Sequence, residues 1–207
     1  IFRLNEVEDF KNLFPQSTID GVSSRIGDQG YQGLLKLNQR SLKVETCLAK
    51  SVEENEDGTL LTFSLRDNVF FHDDPCFDGG KGRKLSAFDV KKCYDMLCEP
   101  RPDNLLFDLF DGRVKGARDY YDACLTKSAD SDGVSGISVL DSLTVSIELE
   151  KPCSFFKKIL THNGCWIFPI EAYEKYGSDM RVNCVGTGPF VVDKIKEGTQ
   201  VRLVKNH

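Results

Sequence analysis

The chain has no excess of basic residues: 27 Lys and Arg stand against 32 Asp and Glu, for a formal charge of −5. A surface that neutralises phosphates needs the opposite balance, which argues against nucleic acid and gives no help to docking on an anionic membrane. No apolar run reaches the ~20 residues that span a bilayer as a helix. Histidine is scarce, three in 207 residues, and none of the eight cysteines forms a C-x-x-C pair. No zinc-type ligand pattern can be assembled from that stock. The turn G-x-S-x-G, which presents a hydrolase serine, does not occur. Internal repeats and low-complexity segments are missing as well.

What is present is ordinary for a globular protein: 40% hydrophobic and 29% charged residues, in a length that suits one good-sized domain or two small ones sharing a core. The chain opens at Ile1 without an initiator Met or a basic-then-apolar leader, and "GTQVRLVKNH" stops inside strand-like alternation. The expectation is a segment of something longer. The cysteines are Cys47, Cys76, Cys93, Cys98, Cys124, Cys153, Cys165 and Cys184. Their even number suits disulfides in an oxidising compartment. The placement of Cys93 and Cys124 on helical apolar stripes suits buried free thiols, and both readings stand.

Patterning along the chain is mixed. "IFRLNEV" alternates at Phe2 and Leu4 and reads as a first strand. The apolar spacing in "SSRIGDQGYQGLLKL" predicts a short helix weakened by glycine. Asp57-Gly58 signals a hairpin, after which Leu61, Phe63 and Leu65 alternate with polar residues. Asp, Pro and Gly crowd residues 73–82 into a loop. Ser86 and Asp89 form a capping box for a helix whose apolar face is Val90, Cys93, Tyr94, Leu97 and Cys98. A second helical stretch is predicted between Asn104 and Leu125. "GISVLDSLTVSIEL" is the clearest hairpin, "SFFKKILTHNG" a short helix ending at Gly164, "CWIFP" a brief strand and "IEAYEKYG" a helix ended by Gly177. Two strands flank Glu197-Gly198. Interspersed helices and hairpins give a mixed α/β, or α+β, architecture.

Several stretches tempt a chemical reading. His72-Asp73-Asp74 looks like a metal or acid–base site, yet a metal needs three or four converging ligands, and neighbours on a strand point to opposite faces. The competing reading is a strand end running into an Asx turn. "GTGPF" at 186–190 lacks the Lys-Ser/Thr and the helix of a phosphate loop, so Gly186 and Gly188 read as backbone freedom for a bend or a close chain approach. "GGKGR" at 79–83 fails in the same way. Cys165 lies near His162 in sequence only. Trp166, the only tryptophan, suits either a core position or a ligand-stacking wall.

The order of these pieces carries more than any one of them. "YQGLLKLNQ", "CLAKSVEENEDGTLLTFSLRDNVFFHDD", "GRKLSAFDVKKCYDML", "GISVLDSLTVSIELEKP", "IFPIEAYEKYG" and "VGTGPFVVDKIKEGTQVRLVKN" follow one another through nearly all of the chain. In this order they resemble the extracytoplasmic solute-binding proteins of ABC transporters, in the family (family 5) that binds oligopeptides, dipeptides and nickel. "DDPCFDGG" replaces the usual D-G after the strand, the usual Trp before the hairpin is absent, and cysteine is more frequent than typical.

The resemblance implies a lobe of the type II periplasmic-binding-protein kind. Residues 1–40 and 165–207 would form a discontinuous core subdomain, 41–164 an inserted antiparallel α+β subdomain, and the second lobe would lie outside the chain. It implies a monomeric, non-enzymatic binding component without cofactor or metal, periplasmic and held to the membrane by a lipid anchor upstream. That component would capture peptides and deliver them to permease subunits. His72-Asp73-Asp74 would be structural. Ligand contacts from this lobe are expected at Glu8, Asp9 and Phe10, at Asn163 with Trp166, and at Thr187. The same fold could hold a nickel chelate, haem or a sugar. The rival class is a metal- or cysteine-dependent hydrolase using His72, Asp73 or Cys165.

Overall fold

The computed structural model describes residues 4–128 and 132–206. Phe2 of the expected first strand lies outside them. Leu4 and Val7 are exposed and carry no strand, having no extended neighbour to pair with among the described residues. The first helix, α1 (Gly21–Gly30), starts at Asp20, whose carboxylate accepts from the Ser23 amide at 2.8 Å. That satisfies one of the amides every helix start leaves unpaired.

After Gly30 the chain turns extended through β1 (Gln32–Gly33), β2 (Leu35–Leu37) and β3 (Val44–Thr46), with β2 and β3 antiparallel. This corrects the helix expected over 23–37: it lies upstream and stops short of the apolar run. The glycines explain why. A Cβ at Gly30 would strike the Cys184 sulfur, and one at Gly33 would press on the Cys165 carbonyl oxygen at 3.3 Å. They mark close approach of other segments, and tertiary packing overrides the 3–4 spacing of Tyr31, Leu34 and Leu35, all buried.

The hairpin of β4 (Ala49–Glu54) and β5 (Leu60–Leu65) turns at Gly58, whose φ of +67° suits glycine. Leu61, Phe63 and Leu65 point inward, as their alternation requires. The next helix, α2 (Ala87–Leu97), begins with both capping-box bonds in place between Ser86 and Asp89. It buries Val90, Cys93, Tyr94 and Leu97. The long helix expected between Asn104 and Leu125 is instead a 3-10 turn at Phe107–Leu109 followed by α3 (Ala117–Leu125). Gly112 and Gly116 break it, with φ of +63° and +72°.

A second hairpin, β6 (Ile137–Asp141) and β7 (Thr144–Glu148), completes one antiparallel sheet in the order β4-β5-β7-β6. Its register sets Phe63 opposite both Val52 and Val145, so the inner face stays apolar across strands. The chain closes with α4 (Phe156–Ile159), β8 (Trp166–Ile167), α5 (Ile170–Tyr176), β9 (Phe190–Lys196) and β10 (Gln200–Lys205). Strand β8 returns to pair antiparallel with β1, and β9 pairs with β10. One contiguous core runs from Phe10, Leu13 and Phe14 through Tyr31 and Tyr94 to Phe168. The architecture is mixed α/β. Among the described residues no helix is long and apolar enough to cross a membrane.

None of the eight cysteines is bridged. Cys93 is fully enclosed, its sulfur 3.2 Å from the Phe168 carbonyl oxygen. It behaves as a small apolar residue with a weak donor.

Candidate functional site

The stretch that looked most like chemistry is structural. His72 is 2% exposed, and its Nε2 lies 2.9 Å from the Gly188 carbonyl oxygen while its Nδ1 faces the Gly186 amide at 3.4 Å. That pattern fixes the neutral tautomer carrying its proton on Nε2. The His72 amide also donates to the Gly186 carbonyl at 2.8 Å, so the residue clips the end of the β5 segment to the 186–188 loop. Asp73 accepts from Lys81 Nζ and the Gly82 amide, and Asp74 from the Cys76 amide and the Tyr176 hydroxyl. Every member of the triplet is occupied by its own fold. No group of three metal-ligating side chains gathers among the described residues.

Burial depresses the His72 imidazole below its ordinary 6.5, because the charged form loses its water. The unfolded chain therefore takes up a proton before the folded one does. Stability contributed by neutral His72 is complete above pH 6.5 and drains away as pH falls through the folded value. His162, also lowered by burial, acts with the same sign. We expect urea midpoints to drop on acidification below that pH, and His72→Gln, which keeps a donor and an acceptor, to flatten the slope without abolishing it.

Cys165 is sealed at 0% exposure and its thiol is pushed far above the ordinary range by desolvation, the reverse of an activated nucleophile. No hydrogen bond joins it to an imidazole among the described residues. The cysteine–histidine arrangement that a hydrolase needs is not assembled here.

Among the described residues two depressions stand out. One, of about 470 Å³, lies between α1 and the segment from α4 to β8, with Ser24, Asp28, Phe155, Lys158, Asn163 and Trp166 on its walls. Trp166 forms its apolar side together with Leu37, Leu109, Phe155 and Ile159. Its ring stacks on Tyr31 at 5.8 Å between centroids and lies against Gly27, where a Cβ would come within 2.5 Å of Cζ3. A glycine in mid-helix costs roughly 1 kcal/mol relative to alanine, and here it makes room for the indole. Asn163 follows a short helix and donates through Nδ2 to the Thr18 carbonyl and the Ser24 hydroxyl, while its Oδ1 accepts from the Gly164 amide at 3.1 Å. It ties the cleft wall to the start of α1. At that start Asp20 Oδ2 is buried without a partner, the one such side-chain atom among the described residues. Burial raises the Asp28 carboxyl above its usual range.

The structure thus brings Asn163 and Trp166 together and leaves the other expected positions apart. Thr187 is buried and donates to Gln32 Oε1 at 3.0 Å, lining a second groove of about 600 Å³. Glu8 is exposed and lines neither depression. Asp9 reaches the Gly198 amide at 2.7 Å and the Phe10 amide at 3.0 Å, fastening the N-terminal loop to the β9–β10 turn. Phe10 is 5% exposed in the core, where an aromatic ring after two carboxylates gains more from burial than from a solvated loop. Ser24 and Asp28 on the cleft wall were missed, although Asp20-Gly21 ahead of Val22 and Ile26 is a readable start for the helix that carries them.

The family model described as bacterial extracellular solute-binding proteins, family 5 Middle, matches residues 43–207. The glutathione-binding protein GsiB of Salmonella paratyphi A is 29% identical over 197 residues, covering 95% of this chain and 33% of that protein. The crystal structure of a periplasmic oligopeptide-binding protein, OppAIV of Borrelia burgdorferi, superposes with a TM-score of 0.82 at 27% identity, over 95% of this chain and 38% of that one. DppA of Helicobacter pylori, solved with the peptide STSA, shares the fold at a TM-score of 0.74 and 23% identity, over 96% and 37% of the respective chains. The chain spans about a third of the length of the curated relatives it matches. It belongs to family 5 of the bacterial extracellular solute-binding proteins.

Proposed function

We propose that the chain is one lobe of the extracytoplasmic binding component of an ABC importer, which captures peptides between two lobes and hands them to a membrane permease. The observation that carries this reading is the family match over residues 43–207, joined to a cleft in which Asn163 and Trp166 stand on one wall. The oligopeptide-binding protein at 27% identity and the glutathione-binding protein at 29% support a peptide ligand. Residues 1–40 and 165–207 act as the core subdomain and 41–164 as the insertion. The β1–β8 pairing and the Gly188 amide's 2.8 Å bond to the Gly30 carbonyl support that division, as does a four-stranded sheet drawn wholly from 49–148.

The mechanism needs no bond making. Ligand stabilises a closed pair of lobes only through contacts made to both at once, the hinge closure for which periplasmic binding proteins are the standard example. Main-chain hydrogen bonds to an extended peptide supply affinity, and roomy, wet side-chain pockets keep selectivity loose.

Trp166 is the only tryptophan of this chain and lies on the cleft wall, so comparing the full-length protein with its Trp166→Phe variant isolates the fluorescence that reports on the cleft. Titrating short peptides into the full-length protein should change that signal saturably, and Asn163→Ala should weaken binding by about tenfold, because its amide, bonded to Thr18 and Ser24, holds the cleft wall in place. Full-length protein that retains no peptide in native mass spectrometry and shows no fluorescence change would overturn the peptide reading.

A further inference from the structure

The second groove has an electrostatic character opposite to that of the whole chain. Its charged walls are Lys36, Arg66, Lys81 and Asp73, three cations and one carboxylate, in a protein of formal charge −5. The single carboxylate is spent: Asp73 accepts from Lys81 Nζ at 2.8 Å and from the Gly82 amide at 2.9 Å. Neither Lys36 nor Arg66 makes an ion pair with a carboxylate among the described residues; Glu45, opposite Lys36 in the β2–β3 register, accepts from Asn38 instead.

Arg66 is nevertheless held in place. Its Nε donates to the Cys47 carbonyl at 2.7 Å, which anchors the stem and leaves both terminal nitrogens of the fork without an acceptor. Lys36, Arg66 and Cys47 line the same groove. Beside them the Thr187 hydroxyl donates to Gln32 Oε1, which leaves the Gln32 amide nitrogen with no acceptor. Three unspent donors, two of them cationic, face a groove that offers no free anionic acceptor. Such a donor set matches a planar or tetrahedral oxyanion, with the guanidinium fork giving two parallel bonds and the ammonium a second charge.

We propose that this groove binds a small oxyanion, a carboxylate or a phosphate, with Arg66 as its bidentate contact and Lys36 as its second cation. Thr187 is then a positioning residue, acting through Gln32. The groove is separate from the Asn163–Trp166 cleft, so the proposal does not rest on peptide capture.

The test is a titration of the full chain with sodium phosphate and, separately, sodium acetate, followed by backbone amide NMR with ionic strength held constant by sodium chloride. Saturable shifts are expected at Gln32, Lys36 and residues 66–68 for at least one of the two anions. Phosphate alone would assign a phosphate ligand, acetate alone a carboxylate, and both the shared oxyanion chemistry. Arg66→Gln should weaken binding at least about tenfold and Lys36→Gln several-fold, as expected for charge-assisted contacts. Lys50→Gln, on β4 and lining neither depression, should leave it unchanged. All three side chains are exposed, so the variants are expected to fold. No saturation by either anion, or equal affinity in Arg66→Gln and the unaltered chain, would overturn the proposal, and neither result would touch the fluorescence response at Trp166.

Discussion

Gly188→Ala should cost about 3 kcal/mol or more, a large part of the stability of a domain this size. A Cβ at this position would lie 2.6 Å from the Gly30 carbonyl carbon and closer still to the Gln29 carbonyl oxygen. Both belong to the last turn of α1, where backbone cannot move aside without breaking helix bonds. The loop is held from the other side too, since the Gly188 carbonyl accepts from His72 Nε2 and Asn206 Nδ2. Gly186 is equally confined, against Gly30 and the Tyr31 ring. Neither glycine has a positive φ, so the motif "GTGPF" is glycine-rich for want of space, not for want of a left-handed conformation. Gly21→Ala is the control: its added Cβ makes only an ordinary 3.4 Å contact, and the change should stay within about 0.5 kcal/mol. Urea unfolding of the three proteins decides the matter. Equal midpoints for Gly188→Ala and Gly21→Ala would refute the close-approach account.

The second large effect is expected at Arg83, the hub between the 72–83 loop, α2 and α5. Its guanidinium bonds both oxygens of Asp89 and both of Glu171, and lies 5.2 Å above the Phe71 ring. Asp89 is 5% exposed and already holds the capping box of α2. Removing its partner leaves a buried charge alone, a loss worth roughly 3–5 kcal/mol for a fully buried pair. Arg83 and Glu171 are each about one third exposed, so solvent screening lowers the expected cost of Arg83→Met to about 2–3 kcal/mol. In an Asp89→Asn background the same change should cost less, since no buried carboxylate is then stranded. Identical costs in the two backgrounds would show that packing, and not charge, is what Arg83 contributes.

The parts of the fold legible in the sequence were those whose signal is local. The hairpin at Asp57-Gly58, the Ser86–Asp89 capping box and the alternation of Leu61, Phe63 and Leu65 each follow from a few neighbouring residues, and each is present. Where the reading went astray, a distant segment decided the outcome. Residues 31–37 are extended because β8 and Cys184 press against them from more than 130 positions away, which no window of apolar spacing contains. The stretch before α3 breaks at Gly112 and Gly116, whose backbone angles outweigh the helical spacing around them.

The candidate site was legible in outline. Trp166 and Asn163 do share a cleft, and the sequence pointed to them by their place after a helix stop and by family resemblance. Phe10 could not be placed from composition, because an aromatic residue in a polar loop and one closing a core look alike until the core is known. His72 shows the opposite case. Its neighbours suggested acid–base chemistry, but its two ring nitrogens are taken by glycine backbone more than 110 residues away.

Peptide calorimetry on this 207-residue chain beside the full-length protein tests the central claim, capture between two lobes, most directly. The account predicts that the full-length protein binds and releases its peptide uncut, while the lobe alone binds at least about 100-fold more weakly, having lost ~2.7 kcal/mol of contacts from the opposite wall. Equal affinity in the isolated lobe, or recovery of a cleaved peptide, would contradict it.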